Sequence, residues 1–387
     1  MAHTDGPDHQ TARGKRSEPC VSSRNQPDLF HAILIRQRFF RLNVEDSIDM
    51  KPAAGKPVPP VTIFPGKYKG EDAVLMESED LRLTLVPERG AKIASLVHKR
   101  TGRECLFQQP GKRFRKASYA DPYENGEISG FDEMFPTISE CYCDCEPWAG
   151  TKMPDHGEVW SLPWKCEQSE SEVRTWVHSV RFPYILTRTV SFTRSNTILL
   201  RYQAENLSGF DFPALWSAHP LFNMTPGTRV IVPPSARNIM NTVAGPALGG
   251  YGERFSFPIA RTADDKEFDL SRINPPGDKL YFKYFFLDEF KEGYVILHDP
   301  KTRETAGLAW PVQQVPYLGM WVNEGGWNDC YHIAPEPCTA PFDRWDVARQ
   351  WGKLPVIPAF GSQHWELLIT VDLSVNPRRM EPDGTIQ

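Results

Sequence analysis

The chain has 387 residues, 40% hydrophobic and 24% charged, with a formal net charge of −5, enough for one large domain or two ordinary ones with a full core. This balance offers no positive field to phosphate backbones or anionic lipid, so nucleic acid is excluded as an expected partner. No stretch approaches the roughly 20 apolar residues of a membrane span, and the first 25 residues lack the apolar centre of a signal peptide. The expectation is a cytoplasmic protein with no membrane partner, whose eight cysteines are reduced thiols.

Residues 1–55 differ in composition from the rest. They are polar and basic up to Asn25, then carry the run His31-Ala-Ile-Leu-Ile-Arg-Gln-Arg-Phe-Phe-Arg41, then a Pro/Gly/Lys-rich stretch from Lys51 to Pro60. Such a composition buries too little apolar area to offset chain entropy. We therefore expect a weakly ordered extension over 1–55 and a single domain over 56–387. The apolar-basic run leaves open an amphipathic surface helix, a targeting element or a dispensable extension.

From Val61 onward the pattern becomes short alternating segments, the signature of strands with one buried and one solvated face. Leu81–Val86, Val173–Val180, Leu186–Phe192, Thr197–Ala204, Tyr294–Leu297 and Trp365–Val371 all read this way. Turn residues separate them at Glu88–Gly90, Arg100–Gly102, Asn206–Gly209 and Asp299–Thr302. Helical periodicity is weak outside Asp343–Gln350. With 35 prolines and 27 glycines this predicts an all-β protein, a large antiparallel sandwich or barrel.

Three segments combine titratable side chains with a backbone constrained by proline or glycine. The first is Pro154-Asp-His-Gly-Glu-Val-Trp-Ser-Leu-Pro-Trp164, where His156 and Glu158 flank Gly157, a residue free to turn or to approach another chain closely. Trp160 and Trp164 follow; aromatic faces beside polar groups suit a sugar, whose C–H patches stack while its hydroxyls bond. The second is Leu215-Trp-Ser-Ala-His-Pro-Leu-Phe-Asn-Met224, an apolar strand ending in His219. A lone histidine there is more often a satisfied core group than a catalyst, yet imidazole is the side chain most easily moved across neutral pH. The third is Tyr331-His-Ile-Ala-Pro-Glu-Pro-Cys-Thr-Ala-Pro341. Proline on either side stiffens the backbone around Glu336, which predicts a turn presenting a carboxylate base in one fixed orientation.

Other motifs carry less. Cys141-Tyr-Cys-Asp-Cys145 alternates as a strand would and lacks the Cys-x₂₋₄-Cys pairs of zinc sites, so no metal is expected. Gly325-Gly-Trp327 and Gly249-Gly-Tyr-Gly252 lack the strand-turn-helix context of nucleotide loops, and no Gly-x-Ser-x-Gly elbow is present.

The ordered set, a His-Gly motif, then a strand ending in histidine before Pro-Leu-Phe-Asn, then Pro-Glu-Pro, resembles the aldose 1-epimerase family of the galactose mutarotase-like superfamily. Pro87–Leu96, Gly130–Thr137 and Pro316–Asn323 add to the resemblance, which spans about Leu75 to Leu373. It implies a large antiparallel β-sandwich and a reaction interconverting the α and β anomers of an aldose, with no metal or organic cofactor. It also implies Glu336 as general base toward the anomeric hydroxyl, His219 as general acid toward the ring oxygen, and His156 as a substrate-binding group. Asp288 would match the family's sugar-binding aspartate. Trp160 and Glu158 are candidate sugar contacts from the first segment. The chain departs from the family in carrying Glu158-Val-Trp160 where sugar-phosphate-specific relatives have an arginine, and in lacking an Asn-Arg motif near Tyr123–Gly126; both leave the sugar open. Two other readings compete: a non-catalytic sugar-binding module, and a polysaccharide hydrolase or lyase using carboxylate pairs among Asp132, Glu133, Glu158 and Glu336.

Overall fold

A computed structural model describes residues 59–387 apart from 263, 264 and 289; the expectation for 1–55 lies outside the described residues. Each of the six alternating segments forms a strand, as in Tyr184–Arg194, where buried positions alternate strictly with half-buried ones along the first nine residues. Two antiparallel sheets hold most strands. The larger runs from the hairpin Thr62–Tyr68 and Glu71–Glu77 through Leu81–Val86, Lys92–His98, Phe131–Met134, Ser217–Pro220, Tyr331–Cys338, Tyr317–Glu324 and Leu280–Phe286 to Asn238–Asn241 and Arg254–Ser256. The smaller contains, in order, Arg229–Ile231, Tyr294–His298, Glu304–Ala309, Ser362–Leu373, Thr197–Asn206, Tyr184–Arg194, Glu172–His178 and Lys165–Gln168. One hydrophobic cluster joins them, with Leu83, Ile93 and Met320 from the larger sheet against Leu186, Leu200 and Leu367 from the smaller. The expected helix is the short Trp345–Gln350. Among the described residues no helix is long and apolar enough to cross a membrane.

A buried ion pair crosses between the sheets. Arg188 Nη1 lies 2.7 Å from Glu133 Oε1 with both side chains fully buried, and Tyr202 and Trp216 donate to the same carboxylate at 2.9 and 2.8 Å. Strand geometry sends the neighbouring residue the opposite way. Asp132 therefore lies on the outer face of the larger sheet, where Lys92 and Tyr123 donate to it.

Pro335-Glu336-Pro337 is not a turn. It lies inside the strand Tyr331–Cys338, paired along its length with Tyr317–Glu324 and with Glu336 opposite Gly319. Proline cannot donate to a ladder, and the other side of the strand accommodates that. There the pairing is broken, with contacts only at Ser217↔Cys338, Phe222↔Ile333 and Asn223↔His332. The gap falls opposite the two prolines.

Candidate functional site

Register on the larger sheet decides which side chains meet. His219 pairs with Asp132, Ser217 pairs with both Met134 and Cys338, and Glu336 lies two residues from Cys338. Residues directly opposite, and residues two apart, share a face. His219 and Glu336 therefore stand on the outer face, beneath a cleft of about 400 Å³ that also takes in His156, Tyr123, Lys283 and His332. That volume lies in the usual range of small-ligand sites. His219 Nε2 is 3.8 Å from Glu336 Oε1, the two side chains being 6% and 0% exposed.

The loop carrying His156 is locked by backbone contacts. His156 adopts a left-handed φ of 59° and Gly157 one of 72°, conformations that cost a side-chain-bearing residue about 1–3 kcal/mol. The His156 N–H donates to the Ile138 carbonyl at 2.6 Å and the Glu158 N–H to that of Phe135 at 2.8 Å. Gly157 is required because a Cβ there would sit 2.1 Å from the Phe135 oxygen. The close approach the sequence suggested is thus to the protein's own backbone. The His156 ring stacks on Tyr123 at 4.0 Å and 8°, its Nδ1 is 2.9 Å from Asp155 Oδ1, and it meets His219 edge-on at 5.1 Å. Burial pushes the Asp155 carboxyl up, but His156 and the Tyr123 N–H together outweigh it and hold it down at about 2.

The remaining sequence candidates do not reach the cleft. Trp160 is buried, its Nε1 donating to the Asp155 carbonyl at 3.0 Å and its ring edge-on to Tyr123, so it supports the loop from behind. Glu158 is fully buried and accepts from Tyr119, Tyr184 and Ser179 hydroxyls and the Arg181 N–H. These bonds anchor the segment and leave no edge for a sugar. Asp288 accepts from the Arg237 and Asn238 N–H groups, each at 2.6 Å, and lines a different hollow beside Arg254. Nor do the four carboxylates considered as hydrolytic pairs converge: Glu133 belongs to the inter-sheet core, Glu158 to the loop anchor and Asp132 to Lys92 and Tyr123.

Sequence reasoning missed Tyr123, Lys283, His332 and Asp343. Lys283 Nζ lies 2.7 Å from both Glu336 Oε2 and Asp343 Oδ1. The one local signal for Lys283 is its charge within the otherwise apolar and aromatic strand Leu280–Phe286. His332 Nε2 accepts from Trp321 Nε1 at 3.1 Å, and since indole only donates that nitrogen is unprotonated.

The electrostatics differ from the charged pair that acid–base chemistry first suggests. Burial pushes the Glu336 carboxyl up to about 7, partly offset by Lys283 and reinforced by Asp343. Burial, followed by His156 and Lys283, holds His219 well below the usual imidazole range, and burial takes His332 down to about 3. At neutral pH His219 is therefore neutral, and the Glu336 carboxyl, at about 7, is poised to exchange a proton. His219 Nδ1, His332 Nδ1 and Glu336 Oε1 have no hydrogen-bond partner among the described residues, while Glu336 Oε2 has the Lys283 ammonium. Buried polar atoms without partners are uncommon and costly, and His219 Nδ1, His332 Nδ1 and Glu336 Oε1 lie together in residues lining this cleft.

No family model and no curated protein sequence matches the chain. Solved structures do match. A Klebsiella pneumoniae protein described as a "putative aldose 1-epimerase" superposes with a TM-score of 0.60 at 14% identity, covering 81% of this chain and 83% of that one. A galactose mutarotase-like protein from Clostridium acetobutylicum gives 0.56 at 13% identity over 81% and 99%. A second galactose mutarotase-like protein, from Lactobacillus casei, gives 0.53 at 17% identity over 78% and 100%. Identities this low speak to architecture alone, and the architecture agrees: the chain has the galactose mutarotase-like antiparallel β-sandwich fold.

Proposed function

We propose that the cleft binds an aldose and interconverts its α and β anomers, with Glu336 and His219 as the acid–base pair and His156 as a hydrogen-bonding group to the sugar. The observation that carries this reading is the 3.8 Å approach of two buried titratable groups at the floor of an open cleft. Anomerisation needs a proton removed from the anomeric hydroxyl and one delivered to the ring oxygen. Both oxygens are bonded to the same carbon, so groups this close reach both at once.

The pair needs one proton between its members. In ring opening one member takes the O1 proton as the C1–O1 double bond forms, while the other protonates O5 as the C1–O5 bond breaks. Rotation about C1–C2 exposes the other carbonyl face, and closure runs the two transfers backwards. Each turnover thus passes through both proton placements, Glu336 ionised with His219 charged and Glu336 protonated with His219 neutral. Burial favours the uncharged placement and the Lys283 ammonium the charged one, so neither lies far from the other, and Glu336 serves as proton acceptor in one half-reaction and donor in the other.

The test is anomer exchange by NMR saturation transfer over a panel of free aldoses and sugar phosphates, with Glu336→Gln alongside. The expected outcome is exchange by the wild type, reduced about 10²–10⁴-fold in the variant with sugar binding retained. Sugar binding by the wild type without exchange would make this a binding module, and cleavage of a polysaccharide would make it a hydrolase or lyase.

A further inference from the structure

Lys283 and Asp343 are buried, face the cleft, and have no assigned part in the acid–base pair. Lys283 bridges Glu336 and Asp343 at 2.7 Å to each. Burial works against its charge, but the Asp343 and Glu336 carboxylates outweigh that and hold the ammonium firmly protonated, so it is no amine nucleophile. Two features indicate that the arrangement is built. Phe285, opposite Gly319, occupies the space of the missing side chain, where a Cβ would meet its ring at 2.9 Å; the Lys283 ammonium lies 5.9 Å from that ring. On the other side, Phe342 is held at a φ of 70°, a strained conformation for a bulky residue. Its ring packs on Phe285 and Trp351, and the Asp343 carbonyl accepts from the Ser139 N–H at 2.6 Å. The strain falls on the residue that precedes Asp343.

We propose that Lys283 and Asp343 are positioning residues, a charge-balanced clamp that fixes the Glu336 carboxyl against His219 and tunes its basicity from opposite sides. The charged and titratable groups around Glu336 are His332 and Cys338 on its own strand, His219 on the adjacent one, Lys283 across the sheet, Asp343 from the following loop and His156 from the facing loop. Of these, Lys283 is the cation in contact and Asp343 its counter-anion. Removing the cation must make Glu336 harder to ionise. Removing the Asp343 charge must make it easier, both by deleting a repelling anion and by leaving Lys283 to Glu336 alone.

This inference rests on the proposed acid–base role of Glu336 for its meaning, so its test reads the carboxyl directly. Protein labelled with ¹³C at the glutamate side-chain carboxyl is titrated by NMR, the Glu336 signal being assigned by its loss in Glu336→Gln. Lys283→Met should move the Glu336 midpoint up by about 1–3 pH units, the range produced by one adjacent charge. Asp343→Asn should move it down, Lys283→Arg should leave it near the wild type, and the double variant Lys283→Met/Asp343→Asn should fall between the single ones. The acidic limb of the kcat/KM profile should follow the same order. A purely structural triad would lose stability in both single variants with no opposed displacement; midpoints that stay put or move the same way overturn the proposal. If Lys283→Met does not fold, Asp343→Asn decides alone, and no downward movement overturns it. Opposed displacement in a protein that exchanges no anomers keeps the clamp and removes the epimerase reading; exchange without displacement does the reverse.

Discussion

Replacing Gly157 with alanine tests whether the left-handed loop is what places His156. A Cβ at Gly157 would lie 2.1 Å from the Phe135 oxygen, 2.4 Å from its carbonyl carbon and 2.8 Å from its nitrogen, against ordinary contact from 3.4 Å outward. These are backbone atoms of a segment continuous with the central strand Phe131–Met134, so the loop rather than the sheet must retreat, by about 1.3 Å, the shortfall to the oxygen. Such a shift breaks the Glu158 N–H bond to Phe135 and strains the His156 N–H bond to Ile138. With about 1–2 kcal/mol for a left-handed alanine and about 1 kcal/mol for each hydrogen bond, the expected loss is ~3–4 kcal/mol. A displacement of about 1 Å at a positioning group costs on the order of 10²-fold in rate, and His156 would leave its stack on Tyr123. Gly150→Ala is the control, since Gly150 has a φ of 80° but nothing within 4 Å of its would-be Cβ; it should lose only the conformational part and keep its activity. Urea unfolding and NMR saturation transfer read the two quantities. Equal losses in both variants, or wild-type behaviour of Gly157→Ala, would refute the reasoning.

Two further outcomes follow from buried charge. Arg188→Met strands the Glu133 carboxylate between the sheets with only Tyr202 and Trp216 as donors and should destabilise by about 3–5 kcal/mol in urea unfolding; a loss under 1 kcal/mol would mean the pair is dispensable. His332, taken down to about 3 by burial, stays neutral while the unfolded chain protonates near 6.5. Its contribution is therefore complete above pH 6.5 and lost as pH falls toward 3, at up to about 1.4 kcal/mol per pH unit. His332→Gln should flatten that part of the stability profile, and an unchanged acid slope would count against it.

The fold was largely legible because alternation is a local signal: Leu81–Val86 forms the strand its pattern predicts. Of the candidate residues, those in segments where chemistry and backbone constraint coincide, His156, His219 and Glu336, are the ones the fold brings to one cleft. Sequence reasoning failed in two ways. Proline on both sides of Glu336 suggested a turn, because the break in pairing that tolerates them is made by strands over 100 residues earlier in the chain. Trp160 and Glu158 looked like ligand contacts because sequence cannot tell a residue facing the cleft from one bracing the loop behind it. Lys283 and Asp343 are the converse case: Lys283 has only its charge in an apolar strand to mark it and Asp343 has no local motif, and the sheet register and the loop after Cys338 carry them to Glu336.

The strand Phe131–Met134 explains why this site belongs to the sheet and not to its loops. Glu133 faces inward to Arg188 and the core, while Asp132 faces outward to Lys92 and Tyr123, and Tyr123 is the surface on which His156 stacks. His219 and Glu336 stand on the same outer face through adjacent strands. A one-residue slip of register would exchange Asp132 with Glu133 and turn His219 into the core, so the burial that specifies the sandwich also specifies the cleft. Left-handed backbone occurs in the loops that carry cleft residues, as at His156 and Phe342. Those segments bring His156 and Asp343 to the cleft, while His219 and Glu336 rest on strands with no left-handed φ of their own.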